Sequence, residues 1–352
     1  MIFRPKERPK KVEYKKSADG KVCLVTGAAG FIGFHLSKRL LEQGEIVCGI
    51  DNLNDYYDVR LKHARLSQLY TYKNFTFLKG DIADRRFIRK AYMGAKPDTV
   101  VHLAAQAGVR YSLENPDAYI KSNIVGFYNL LETARRRPPR HLLYASSSSV
   151  YGANTKVPFK ESDRTGDPLS LYAATKMSNE IMAGTYSRLH KIPMTGLRFF
   201  TVYGPMGRPD MAYYKFTQRF FAGAPIRVYN NGDLAHDLYR DYTYIDDIVE
   251  GIQRIMESPP GGDAPHRIFN IGNNRPEKLS DLIATLERSL SRAVGREVKF
   301  NKVYEGMKPG DMRVTCASTE ALKEAVGFAP KTTIEDGLQK FADWYVDWYK
   351  QK

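Results

Sequence analysis

Val22-Cys-Leu-Val-Thr-Gly27-Ala-Ala-Gly30-Phe31-Ile32-Gly33 is the stretch from which the rest of the chain is best read. An apolar run ends in three glycines at three-residue spacing, and the residues from Phe34 to Gly44 then follow helical periodicity. This spacing predicts a strand, a tight turn and a helix N-terminus. Glycines there permit the turn, let backbone amides approach a pyrophosphate, and let the helix pack close to the sheet. Gly27, Gly30, Phe31, Ile32 and Gly33 are therefore candidate dinucleotide contacts. Asp51 ends the next apolar run, 24 residues after Gly27, with Asn52 beside it. A carboxylate at that place accepts hydrogen bonds from ribose hydroxyls and repels a 2′-phosphate, which predicts NAD rather than NADP.

Further along, short apolar runs alternate with helical patterns. Strands are expected at 21–27, 45–51, 75–82, 98–105, 141–147, 194–200 and 267–272. Near-continuous apolar strands separated by helices predict a doubly wound α/β fold, a parallel Rossmann-type sheet covered on both faces. Ligands of such sheets gather at the carboxyl ends of the strands. Asp81, Ile82, Leu103, Ala104 and Ala105 lie at such ends and join the candidate cofactor set. Residues 21–198 read as the cofactor domain, with the strand near 266–272 rejoining it. Residues 199–352, richer in Pro, Gly and aromatics, read as a smaller α/β lobe. The last helix carries Phe341, Trp344, Tyr345 and Trp348 at helical spacing, a packing face.

Composition narrows the function classes. Apolar residues make up 43% of the 352-residue chain, enough for a large core. No segment reaches the ~20 apolar residues of a membrane span, and the first residues lack the apolar core of a secretory signal. A cytoplasmic location is expected. The formal charge is +15, and seven of the Lys and Arg fall in the first 16 residues. Residues 1–20 read as a basic extension. The other cations are not striped with aromatics, so a nucleic-acid partner is not expected, whereas a polyanionic ligand favours a positive cleft. Cys23, Cys48 and Cys316 have neither disulfide nor metal spacing, and the seven histidines show no ligand pattern. No metal is expected.

Tyr172-Ala-Ala-Thr-Lys176 opens a helical pattern, placing phenol and ammonium on one face. A neighbouring cation stabilises a phenolate, so such a tyrosine can take the proton of a hydroxyl while hydride leaves for a nicotinamide. Ala145-Ser146-Ser147-Ser148-Ser149-Val150-Tyr151-Gly152 sits at a strand end and offers hydroxyls. A loop that hydrogen-bonds itself is the alternative reading of those serines.

Together these elements resemble the extended short-chain dehydrogenase/reductase family of nucleotide-sugar epimerases and dehydratases, from about Lys21 almost to the C-terminus. The resemblance implies a catalytic triad of Ser147, Tyr172 and Lys176, oxidation of a UDP-sugar at C4, a C-terminal lobe that binds the nucleotide sugar, and a homodimer formed through two sheet-covering helices. Dehydratases of the family look like S-T-D-E-V-Y-G at the serine element, and decarboxylases like S-T-S-E-V-Y-G. Here Ser148 and Ser149 replace those acids. With no carboxylate for elimination, return of hydride to the other face of C4, an epimerisation, is expected.

A 4-keto glucuronate is a β-keto acid, so an epimerase acting on it must hold the carboxylate with charge-assisted hydrogen bonds. Ser147, Ser148, Ser149, Thr201 and Arg208 are candidates for that cradle. The surrounding segments, among them residues 107–116 around Arg110, resemble UDP-glucuronate 4-epimerases. The expected product is UDP-galacturonate, and a UDP-glucose/UDP-galactose 4-epimerase is the nearest alternative. Arg240 matches the family's diphosphate arginine, and Lys308 and Asp311 match its late phosphate and ribose contacts. Two departures are Met206, where the epimerase pattern has Trp, and a longer stretch between Gly232 and Arg240. Both are expected near the nucleotide-sugar pocket.

Overall fold

The computed structural model describes residues 21–307 and 312–350. The basic extension, Lys308 and Asp311 lie outside the described residues. Twelve strands are present among them: β1 (Val22–Thr26), β2 (Ile46–Asp51), β3 (Phe75–Lys79), β4 (Thr99–His102), β5 (His141–Ser147), β6 (Met194–Phe199), β7 (Thr201–Tyr203), β8 (Ile226–Val228), β9 (Tyr239–Tyr244), β10 (His266–Ile271), β11 (Pro276–Lys278) and β12 (Lys302–Tyr304).

Seven of them form one sheet in the order β10-β6-β5-β4-β1-β2-β3, every neighbouring pair parallel. This is the doubly wound Rossmann-type fold. Side chains alternate between its two faces, and both faces are dry. In β1, Cys23 and Val25 enter one core while Val22 and Leu24 enter the other. In β5, Leu143 faces the first and Leu142 the second. That two-sided burial explains why the strands read as apolar runs rather than as alternations.

β1 and β4 are neighbours from which the chain winds outward in opposite directions, so a crevice opens above their carboxyl ends. Two strands stop earlier than their apolar runs suggested. β4 ends at His102; Leu103 N–H still bonds the Thr26 carbonyl, but Ala104 N–H turns to the Thr26 hydroxyl. β3 ends at Lys79. Asp81, Ile82 and Leu103–Ala105 are thereby left at the crevice as loop residues.

Apart from the large sheet stand a three-stranded sheet, β11-β9-β7, and the parallel pair β12-β8, while β10 returns to the edge of the large sheet beside β6. The helix Ile334–Tyr349 buries Phe341 and Tyr345 in the larger core. No helix among the described residues is long and apolar enough to cross a membrane.

Candidate active site

The glycine turn is dictated by close approach. Gly27 has φ +75°, and a Cβ on it would lie 2.8 Å from the Ala104 nitrogen. A Cβ on Gly33 would lie 2.1 Å from the Gly27 carbonyl oxygen. The helix Phe31–Glu42 starts at Gly30 with no capping side chain and no acid in its first turn, which leaves its N-terminal amides available to an anion. Asp51 is buried at the tip of β2, its oxygens accepting from Ala29 N (3.2 Å) and Leu53 N (2.8 Å). Lys62, not singled out from the sequence, stands 3.9 Å from the same carboxylate. Asp81 is held by the Lys121 ammonium at 2.9 Å.

The helix Leu171–His190 is started by Ser170, whose side chain accepts from Ala173 N. The cap places Tyr172 in the first turn and Lys176 one turn later. Glu180, one turn further, is buried beneath the site. It binds Arg198 through both oxygens (2.9 and 2.8 Å) and accepts from Ser146 Oγ at 2.5 Å. Arg198 also reaches the Tyr151 hydroxyl, which donates to Asn270. This network ties the helix that carries Tyr172 and Lys176 to the ends of β5 and β6.

Ser147 is the last residue of β5. Its Oγ accepts from Ser149 N and donates to Ser149 Oγ, each at 3.2 Å, so the self-bonding loop is part of what the serines do. Ser147 also lies beside the Tyr172 phenol and lowers its pKa. Lys176 is 3% exposed and its Nζ donates to the Ala145 carbonyl at 2.9 Å. Burial pushes its pKa from the ordinary 10.5 down to about 8. Burial also raises the Tyr172 pKa, Ser147 and the Arg208 charge pull it back, and Asp210 raises it again. The protein's side chains thus leave the phenol above its ordinary value. The charge among them that lowers it is that of Arg208.

Arg208 is itself paired. Its Nε donates to Asp210 at 3.0 Å, a second bond runs from Nη2 to the same carboxylate, and the Tyr56 hydroxyl donates to it at 3.3 Å. Burial opposes both charges, yet their attraction wins, holding Asp210 below its usual range and Arg208 above its own.

One cavity of about 850 Å³ runs from the glycine turn across β4 and β5 to β9. It is lined by Gly27, Gly30, Phe31, Ile32, Gly33, Asp51, Asn52, Asp81, Ile82, Leu103, Ala104 and Ala105 at one end. Ser147, Ser148, Ser149, Tyr172 and Lys176 line its middle, and Thr201, Arg208 and Arg240 its far side. Among the described lining residues, eight cations (Lys62, Arg110, Lys176, Arg208, Lys215, Arg219, Arg227, Arg240) face three acids (Asp51, Asp81, Asp210). A polyanion is the ligand that such walls favour. Arg240 Nη1 is anchored on the Tyr239 and Arg313 carbonyls, and Arg110 stacks 4.4 Å over the Tyr229 ring.

Met206 departs from expectation, since its side chain is buried in the core and does not line the cavity. Its left-handed backbone (φ 54°) turns the carbonyl onto Arg65. The longer 232–240 stretch is closed on itself by Asn230 Nδ2 on Asp237 (2.9 Å), with Leu238 and Arg240 at the cavity. Lys215, Arg219, Arg227, Lys62 and Asp210 were missed from the sequence. Isolated charges on helical or loop patterns carried no signal there.

Comparison with known proteins bears on this geometry. The family described as GDP-mannose 4,6 dehydratase matches residues 24–341. A probable UDP-glucuronate 4-epimerase of Rhizobium meliloti is 44% identical over 343 residues, covering 93% of this chain and 98% of that protein. The crystal structure of UDP-glucuronic acid 4-epimerase from Bacillus cereus, in complex with UDP-glucuronic acid and NAD, is similar with a TM-score of 0.84. Its identity is 31%, with 93% of this chain and 100% of that one covered. The UDP-glucose 4-epimerase of Thermotoga maritima with UDP-glucose is similar with a TM-score of 0.80 at 30% identity, covering 93% and 99%. The glycine cradle, the carboxylate at the tip of β2 and the uncapped helix all fit NAD, and this chain belongs to the extended short-chain dehydrogenase/reductase family of NAD-dependent nucleotide-sugar epimerases and dehydratases.

Proposed function

We propose that the protein interconverts UDP-glucuronate and UDP-galacturonate by C4 epimerisation through a transient 4-keto sugar. The observation that carries this reading is the serine element. Where elimination chemistry needs carboxylates, Ser148 and Ser149 present hydroxyls to the cavity, and among the described residues no Asp or Glu lines it beside Tyr172 except Asp210, already neutralised by Arg208. Hydroxyls and a guanidinium suit an acidic sugar, and the relatives named above support the same choice.

In this reading the glycine turn and the helix N-terminus hold the pyrophosphate of NAD, and Asp51 its adenosine ribose. Bound there, NAD supplies a reversible hydride acceptor. Tyr172 removes the O4 proton, with Ser147 bridging phenol and substrate oxygen. Arg208 supplies the positive charge that favours the phenolate, and Lys176 a donor for the nicotinamide ribose. Ser148, Ser149 and Thr201 hold the sugar carboxylate, which keeps the β-keto acid from losing CO₂, with Arg208 completing the cradle. Arg240 anchors the diphosphate while the keto sugar turns, as the matched motif implies for Lys308 and Asp311 also.

One observation favours a neutral sugar instead: Arg208 spends two of its nitrogens on Asp210. A panel of UDP-sugars followed by NMR separates the two. Turnover of UDP-glucuronate, weakened but measurable in Arg208→Ala while any UDP-glucose activity persists in full, is expected. Equal loss on both sugars, or turnover of UDP-glucose alone, would move the assignment to the neutral epimerase.

We also propose a homodimer. Ile120, Val125, Tyr128, Ile181 and Leu189 are large apolar side chains exposed on two helical segments covering the sheet, and buried apolar area of that kind drives association. Sedimentation should give a dimer that Ile181→Glu weakens; a monomeric wild type would end the idea.

A further inference from the structure

Arg65 is a charge that the chemistry above does not use, and its setting is unusual. It lies on the helix Val59–Leu69 and is fully buried at 0% exposed. Among the described residues no carboxylate lies within ion-pair distance of it. A buried cation without an acid is costly unless its donors are all taken up. Here they are. Nη1 donates to the Ala29 carbonyl and the Tyr57 hydroxyl, each at 2.8 Å. Nε and Nη2 donate to the Met206 carbonyl (3.2 and 2.6 Å), and Nη2 also to the Gly207 carbonyl (3.1 Å).

Those acceptors belong to two different places. Ala29 is in the glycine turn that cradles the cofactor. Met206 and Gly207 immediately precede Arg208, and Met206 has the left-handed backbone that few non-glycine residues adopt. Such a conformation persists where surrounding contacts over-determine it. Two further side chains of the cofactor lobe hold the same turn: the His35 ring meets the Pro205 carbonyl at 3.0 Å, and Tyr56 donates to Asp210.

We propose that Arg65 is a positioning residue for the substrate, bolting the Arg208-bearing turn to the cofactor's glycine turn so that acidic sugar and nicotinamide meet in fixed register. The proposal rests on the reading of Arg208 as a contact to the sugar carboxylate. A planar fork serving four acceptors does this; an ammonium has three donors and no fixed plane.

The test is a double-mutant cycle on the NAD-loaded enzyme, with Arg65→Lys, Arg208→Ala and the double variant assayed on UDP-glucuronate. Arg65→Lys should lower kcat/KM by about 10²-fold, the scale of an ångström's misplacement, with NAD content and affinity for UDP unchanged. If Arg65 acts through Arg208, the double variant is no worse than Arg208→Ala alone. Additive losses, a loss that follows NAD content, or unchanged kcat/KM would each overturn the proposal. Should Arg65→Lys fail to fold, Tyr57→Phe removes one anchor of the guanidinium without touching its charge; a smaller loss with the same non-additivity is expected, and additivity overturns it. Wild-type enzyme inert toward UDP-glucuronate yet active on UDP-glucose would instead indict the sugar assignment.

Discussion

Replacing Lys176 by methionine should stabilise the protein while abolishing turnover. The side chain is 3% exposed, and burial lowers its pKa from 10.5 to about 8. At about 1.4 kcal/mol per pH unit, that gap is about 3 kcal/mol of resistance to keeping the charge inside at pH 7. Methionine fills a similar volume without charge but forfeits the bond to the Ala145 carbonyl and leaves that oxygen unpaired, costing about 1–2 kcal/mol. The net gain is about 1–2 kcal/mol, or a melting temperature raised by about 1–3 °C. The pH dependence gives the sharper signature. Folded Lys176 gives up its proton near pH 8 and unfolded lysine near 10.5, so between them the unfolded chain binds more protons and wild-type stability rises with pH. The advantage of Lys176→Met should therefore be full below pH 8, fall to nothing near pH 9.5, and become a deficit of about 1–2 kcal/mol above 10.5, where only the lost bond to Ala145 remains. Urea unfolding of the two NAD-stripped proteins at pH 7 and 9.5 reads it directly. A variant less stable at pH 7, or an advantage that ignores pH, would refute the reasoning.

Gly33→Ala places a methyl group 2.1 Å from the Gly27 carbonyl oxygen, both atoms being backbone-bound. The helix must back away, and the purified protein should lose NAD and nearly all activity; stoichiometric NAD by absorbance would show the turn to be softer than described. Glu180→Gln leaves the Arg198 charge buried without its partner, which should cost about 3–5 kcal/mol in urea unfolding. A change under ~1 kcal/mol would mean that the network beneath β5 relaxes easily.

Much of this was legible because the decisive signals are local and periodic. Two-sided burial makes β1, β2 and β5 continuous apolar words, and Gly27, Gly30 and Gly33 report a turn whose geometry admits little else. Tyr172 and Lys176 report one helical face. What stayed hidden depends on distant partners. Nothing near Arg65 in sequence says that Met206, 141 residues on, will supply its acceptor. Asp210 reads as a loop acid until Arg208 and Tyr56 close on it. Met206 drew attention as an aberrant residue at the pocket, yet it is the backbone there that matters, the side chain lying in the core. Likewise the four-residue spacing of Tyr172 and Lys176 places both at the site but does not say where Nζ points, and it points to Ala145.

The proposed chemistry is oxidation and re-reduction at a single carbon inside the cavity, sparing the acid group. UDP-glucuronate deuterated at C4, incubated with the enzyme in ordinary water and followed by NMR, examines this directly. UDP-galacturonate still carrying the deuterium at C4, with no CO₂ released and no solvent hydrogen at C5, is the expected result. Deuterium washed into water, exchange at C5, or accumulation of a UDP-pentose would contradict it.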